Sequence, residues 1–162
     1  MKGIVVKSTG SWYKVYAENG QRINCRIKGK FRTKNIKSTN PIAVGDKIRF
    51  ELEKDENGLI TDIEKRENFI IRKATNLSKR YHIIASNIDQ AILIVTLKYP
   101  VTSTMFVDRF LVSAEAFHIP TIILINKVDL YNKKTLAELN KLSDVYGNAG
   151  YEVHAISAIT KQ

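Results

Sequence analysis

Two short segments hold residue types that could do chemistry. Asn126-Lys127-Val128-Asp129 brings an amide, an ammonium and a carboxylate together, and Ser157-Ala158 adds a hydroxyl and a small residue. Each follows directly on an apolar run, Thr121–Ile125 and Tyr151–Ile156. An ionised carboxylate offers two acceptor oxygens to any ligand that shows two adjacent N–H donors. A third set is basic and aromatic: Trp12, Lys14, Arg22, Arg26, Lys28, Lys30, Arg32, Lys34 and Lys37, with Tyr13 and Phe31 among them. Cations in such a set track phosphates, and exposed rings stack on bases. Tyr13 and Phe31 are expected to pack in a core, while Trp12 is open to either role. Cys25 is the only cysteine, which excludes an intrachain disulfide and a zinc site built on cysteine pairs. His82, His118 and His154 are scattered and are expected to be structural.

Strands and turns alone account for residues up to about 63. Gly3–Ser8 is a short apolar strand. In Ser11–Glu18, Tyr13, Val15 and Ala17 share one face. In Gln21–Arg32, Ile23, Cys25, Ile27 and Phe31 oppose Arg22, Asn24, Arg26, Lys28, Lys30 and Arg32. A two-residue Asn19-Gly20 turn would set basic residues behind apolar ones. A three-residue loop, Asn19-Gly20-Gln21, sets Val15 opposite Cys25 and Lys14 opposite Arg26, with Gly20 left-handed. Lys47–Glu53 is expected to bury Ile48, Phe50 and Leu52, and Leu59–Ile63 follows a turn at Asp55-Glu56-Asn57-Gly58. Five short strands with a long basic loop at 33–45 fit an OB-fold barrel over residues 1–66, with an SH3-like barrel as the alternative. Glu64–Asn87 lacks a strong period and reads as an extended, basic interdomain segment holding Arg66, Arg72, Lys73, Lys79 and Arg80, with residues 67–86 as the linker.

Residues 87–162 alternate strand and helix. Ala91–Leu97 is a continuous apolar run, as in a parallel strand covered on both faces. Ser103 or Thr104 can cap a helix with the stripe Phe106, Phe110, Ala114 and Phe117, which Pro120 ends. Thr135-x-x-Glu138 reads as a capping box for a helix burying Leu136, Leu139 and Leu142 and stopping at Gly147. The order strand–helix–strand–helix–strand predicts a doubly wound parallel sheet, whose ligands sit beyond the carboxyl ends of the strands. Both chemical segments stand there.

Charge separates the halves. Residues 1–73 hold 17 Lys/Arg against 9 Asp/Glu, which is most of the net +10, and residues 21–40 hold seven cations and no acid. A polyanionic partner, nucleic acid first, is the expectation. The 44% hydrophobic and 26% charged composition excludes disorder. Ala91–Leu97, the longest apolar run, is too short to span a bilayer. No signal-peptide core follows Met1, so a cytoplasmic protein without a membrane partner is expected.

Asn126–Asp129 and Ser157-Ala158 resemble the NKxD and SA guanine-recognition elements of GTP-binding proteins. The chemistry fits that resemblance: guanine N1–H and N2–H are adjacent donors, and adenine would leave the carboxylate unpaired. The resemblance implies that Asp129 takes the base, Asn126 braces the loop near N7, the stem of Lys127 covers base and ribose, and the Ala158 N–H meets O6. The phosphate loop G-x-x-x-x-G-K-[ST] is absent: Gly29-Lys30 is followed by Phe31, and Asn24 stands where the first glycine belongs.

With Val44-Gly45-Asp46, Asn87-Ile88-Asp89-Gln90, Asp108–Val112 with Ala114-Glu115, and Asn126–Leu130, the sequence resembles the ribosome small-subunit-dependent GTPase A family (RsgA, also called YjeQ) over nearly its whole length. The resemblance implies an OB barrel, then a circularly permuted GTPase domain that opens with NKxD, then a zinc domain. It implies binding of GTP/GDP, the small ribosomal subunit and 16S rRNA, and GTP hydrolysis during late 30S maturation. The chain then reads as a monomeric amino-terminal part ending before the phosphate loop. No catalytic residue is expected in it, and Mg and Zn are expected only in the full-length parent. The alternative is a non-catalytic OB-fold RNA-binding protein with a degenerate nucleotide-binding domain.

Overall fold

A computed structural model describes residues 1–27, 41–73 and 81–161. Two compact units result, Met1–Ile88 and Asp89–Gln162. Phe31, Lys28, Lys30, Arg32, Lys34 and Lys37 lie outside the described residues.

The first unit is built on a closed barrel of β1 (Lys2–Thr9), β2 (Trp12–Ala17), β3 (Arg22–Ile27), β4 (Lys47–Leu52) and β5 (Gly58–Ile63), ordered β1-β2-β3-β5-β4. β3 and β5 are parallel and the other pairs antiparallel. Alternation carries Val5, Tyr13, Val15, Ala17, Ile23, Cys25, Ile48, Phe50 and Ile60 into one core. Tyr13 is 1% exposed and packs as expected, its hydroxyl donating to the Gly10 carbonyl at 3.1 Å. Leu52 is not buried as expected; it sits at the strand end, half exposed.

The β2–β3 register differs from the expected one by two residues. Tyr13 faces Cys25, Val15 faces Ile23 and Trp12 faces Arg26. The loop has three residues, but they are Glu18-Asn19-Gly20, closed by Ala17 N–H donating to Gln21 O at 2.9 Å. A three-residue hairpin loop needs its left-handed residue last. Gly20, at φ +82°, takes that place, while Asn19 Oδ1 accepts from the Gln21 N–H. A slip of two preserves the faces, so the inward and outward sets are unchanged.

Burial pushes the Cys25 thiol up to about 11. At pH 8 only about one thiol in a thousand is then the reactive thiolate. A thiol reagent at pH 8 is expected to label Cys25 only as the barrel unfolds; rapid stoichiometric labelling of the folded chain would contradict this burial.

The stretch read as a linker contains an antiparallel pair, β6 (Phe69–Lys73) and β7 (Tyr81–Ser86). A bulge between Ile70 and Ile71 breaks the alternation that would have betrayed it. Arg66 is not a solvated linker cation either. Its guanidinium grips Asp46, which is 0% exposed, through Nε to Oδ1 and Nη2 to Oδ2, both at 2.7 Å. Ser86 Oγ and the Ala43 N–H also donate to that carboxylate, at 2.5 and 2.9 Å.

The second unit is a three-stranded parallel sheet, order β10-β9-β8, from β8 (Ala91–Val95), β9 (Thr121–Ile125) and β10 (Glu152–Ala155). α1 (Thr104–Ala116) and α2 (Lys133–Asn148) make the crossovers. Both crossovers step the same way across the sheet, so right-handed connections put both helices on one face. The expected strand–helix–strand–helix–strand order and parallel sheet are present. The covered face holds Leu93, Val95, Ile123 and Ile125 against Val107, Leu111, Leu139 and Tyr146. Ile92 and Ile94 point away from that core and are exposed, contrary to the reading of β8 as covered on both sides.

Helix details shift by one to three residues. Ser103 caps α1, but the buried stripe is Val107, Leu111 and Ala114, with Phe106 exposed. Asn132, not Thr135, caps α2; its Oδ1 accepts from both the N–H and the hydroxyl of Thr135. Thr135 is thereby buried, Leu136 is exposed, and the left-handed glycine past the helix end is Gly150 rather than Gly147.

Candidate functional site

β8, β9 and β10 are parallel, so their carboxyl ends open on one edge of the sheet. At that edge Asn126, which follows β9, donates its N–H to Val95 O at 2.8 Å. Its side-chain Oδ1 accepts from the Lys127 N–H at 2.7 Å and from the Ala158 N–H at 3.2 Å. One amide oxygen therefore ties the two candidate segments together. The Asn126 side-chain Nδ2 has no protein partner among the described residues and is free to donate to a ligand. The Ala158 N–H, expected at a base oxygen, here serves the brace.

A second tie runs through Ser157, which is 1% exposed. Its hydroxyl donates to Asp129 Oδ1 at 2.6 Å and accepts from the Thr160 N–H at 3.2 Å. Asp129 is exposed, and its Oδ2 has no partner among the described residues. The carboxylate is thus oriented through one oxygen and open at the other. That geometry suits a ligand edge with adjacent donors. Lys127 is left-handed, at φ 69°, a conformation costing roughly 1–2 kcal/mol outside glycine. Its ammonium donates to the Tyr99 carbonyl, which spans the gap to the loop after β8.

Sequence reasoning missed Tyr131. Its hydroxyl donates to Asn126 O at 2.6 Å and accepts from the Leu97 N–H at 2.8 Å. It pins the exit of β9 to the exit of β8 from within the core, at 8% exposure. A tyrosine just past the Asn126–Asp129 motif was the only signal, and periodicity does not mark it. Among the described residues no group of three His, Cys, Asp or Glu converges. Neither Mg nor Zn has a fitting donor set there.

On the barrel, Trp12, Lys14, Arg22 and Arg26 share the outer surface of β2 and β3. Trp12 is 46% exposed. Arg26 is engaged with Glu53 through two 3.0 Å bonds, from Nε to Oε2 and Nη2 to Oε1, and this raises its pKa. Lys14 and Arg22 have no carboxylate partner among the described residues.

The RsgA N-terminal domain model matches residues 2–60, and the RsgA GTPase model matches residues 63–162. The small ribosomal subunit biogenesis GTPase RsgA of Christiangramia forsetii is 57% identical over 161 residues, covering 98% of this chain and 51% of that protein. Its counterpart in Bacteroides fragilis is 52% identical over 160 residues, covering 99% and 52%. The crystal structure of YjeQ from Thermotoga maritima superposes with a TM-score of 0.73 at 36% identity, covering 98% of this chain and 52% of that one. YloQ, described as a circularly permuted GTPase, gives 0.69 at 34% identity, covering 97% and 51%. The chain spans about half the length of the curated relatives it matches. With both family models aligned end to end along it, and the Asn126–Asp129 and Ser157-Ala158 loops locked at one sheet edge, the chain belongs to the RsgA GTPase family.

Proposed function

We propose that residues 1–162 supply the rRNA-binding barrel and the guanine-recognition half of a GTPase that acts in late maturation of the small (30S) ribosomal subunit. The observation that carries this is the double tie between the two loops, Asn126 Oδ1 to the Ala158 N–H and Ser157 Oγ to Asp129. It preorganises a carboxylate and a free amide for the edge of GTP or GDP. The names of the relatives support the ribosomal role. The order β1-β2-β3-β5-β4 with parallel β3–β5 pairing supports the OB-fold reading, and with it binding of 16S rRNA through Trp12, Lys14, Arg22, Lys28, Lys30, Arg32, Lys34 and Lys37, with Arg26 held by Glu53. The protein acts as a cytoplasmic monomer in this reading; no described helix is long and apolar enough to cross a membrane.

Asn126, Lys127, Asp129, Ser157 and Ala158 position the base. Their one carboxylate, Asp129, is committed to the base edge in this reading, and the phosphates have no backbone cradle in these residues. Residues 1–162 alone are therefore expected to release phosphate from GTP no faster than buffer does. A polypeptide joining them to a phosphate loop is expected to hydrolyse GTP, faster with added 30S subunits. Phosphate release by both, with and without subunits, is the test. Turnover by residues 1–162 alone would overturn the division of labour, and a longer protein indifferent to subunits would overturn the ribosomal role.

A further inference from the structure

The outer face of the barrel's first three strands is laid out in rows. Trp12 lies opposite Arg26, Lys14 opposite Asn24, and Tyr16 opposite Arg22. On the other side of β2, Lys7 lies opposite Lys14, and Ile4 opposite Tyr16. Ile4, Val6, Trp12 and Tyr16 are 45–48% exposed. Four large apolar side chains clustered on one face are more than the scattered apolar groups of an ordinary surface. The cations between them are poorly compensated. Lys7 directly opposite Lys14 is a repulsive pair, and neither has a carboxylate partner among the described residues. An anion that also has flat apolar faces answers both features.

We infer that this face binds unpaired RNA, with Trp12 and Tyr16 each stacking on a base and Lys7, Lys14 and Arg22 meeting the phosphates. The inference rests on the reading of the barrel as an rRNA-binding module, and it names the class of RNA and a stacking residue, Tyr16. Base faces are covered by their neighbours in a duplex, and double-stranded RNA is recognised through phosphates and 2′-hydroxyls. Exposed rings are useful only to bases that are splayed out. At about 3.3 Å per residue, positions 12 and 16 stand about 13 Å apart, so the rings hold different bases with Lys14 between them. Arg26 plays another part. Its fork is turned to Glu53, so it buttresses the row of Trp12 and contributes little to phosphate binding.

Trp12 is the only tryptophan, so its fluorescence reports directly from the face. The 162-residue chain is titrated with oligouridylate and with an RNA duplex of the same strand length. Oligouridylate is expected to quench Trp12 more strongly than the duplex. Tyr16→Ala is expected to weaken oligouridylate binding about fivefold to 100-fold with the salt slope unchanged, and Tyr16→Phe to retain affinity. Lys14→Ala is expected to lower the slope by about 0.7, and Arg26→Ala to leave it alone. Equal quenching by duplex, or full affinity in Tyr16→Ala, overturns the inference while leaving subunit binding, and hence the proposed function, standing. Concentration-dependent doubling of mass without RNA quenching overturns it in favour of self-association. Failure to bind either RNA or 30S subunits removes the rRNA reading itself.

Discussion

Asp46→Ala is expected to destabilise the barrel unit by about 3–5 kcal/mol, the cost of leaving one partner of a buried ion pair without the other. Asp46 is 0% exposed and accepts from Arg66 twice, from Ser86 Oγ and from the Ala43 N–H. The Arg66 side chain is only 19% exposed, so water cannot fully replace the lost carboxylate. Asp46→Asn fares little better, because its amide nitrogen would confront donors. The backbone is closely packed here: at Gly45, φ +91°, Ser86 O occupies the place of a Cβ. For a unit of this size about 1 kcal/mol moves the midpoint by about 4–8 °C, so a drop on the order of 15 °C or more is expected. Thermal melts followed by Trp12 fluorescence read the barrel itself. Glu67→Ala is the control. It breaks the exposed Lys47–Glu67 pair and is expected to cost under about 1 kcal/mol. Equal shifts for the two variants would show that the buried network does not hold the barrel.

Asp129→Asn is expected to lower guanine-nucleotide affinity by about 100-fold or more, in a polypeptide that joins these residues to a phosphate loop. The substitution exchanges an acceptor for a donor at the base edge. Guanine N1–H and N2–H then face an N–H, while xanthine, with a carbonyl at its second carbon, regains a match. The loop itself is expected to survive. Asn retains an oxygen for the Ser157 hydroxyl, which now donates to Asp129 Oδ1. Competition between GTP and XTP for a fluorescent guanine nucleotide is the measurement. Selectivity should move toward xanthine; parallel loss of both would mean that the change collapses the loop and that Asp129 does not read the base.

These two aspartates mark where sequence legibility ends. The placement of Asp129 was legible because it and its partner Ser157, though 28 residues apart, each lie in a segment that follows directly on an apolar strand run. A tetrapeptide after a buried strand carries the placement with it, and strand-end loops of a parallel sheet converge. Asp46 was visible only as part of Val44-Gly45-Asp46. Its partners Arg66 and Ser86 are 20 and 40 residues away, and one of them lies in a stretch without usable period. Nothing local links them. The same holds for Tyr131, whose buried hydroxyl joins Leu97 to Asn126.

Local chemistry that the sequence did display was sometimes taken at the wrong position. Thr135 and Glu138 satisfy a capping pattern, but Asn132 lies one turn earlier and caps more effectively, and the helix that follows buries Thr135 instead. Asn19-Gly20 marked the hairpin correctly. Where the loop begins was decided by the demand that glycine occupy its last, left-handed position.

By itself, then, the sequence determined the inward and outward sets of β2 and β3, the alternation of strand and helix from β8 to β10, and the residue types at the carboxyl edge of the sheet. These follow from periodicity and charge, which act over a few residues. The tertiary structure alone decided strand register, which cations are free and which are bound, and the buried ties that hold each loop in place. Arg26 and Lys14 look alike in sequence, yet one is bound to Glu53 and the other has no carboxylate partner among the described residues. That difference depends on which distant strand the chain brings alongside, and no local pattern encodes it.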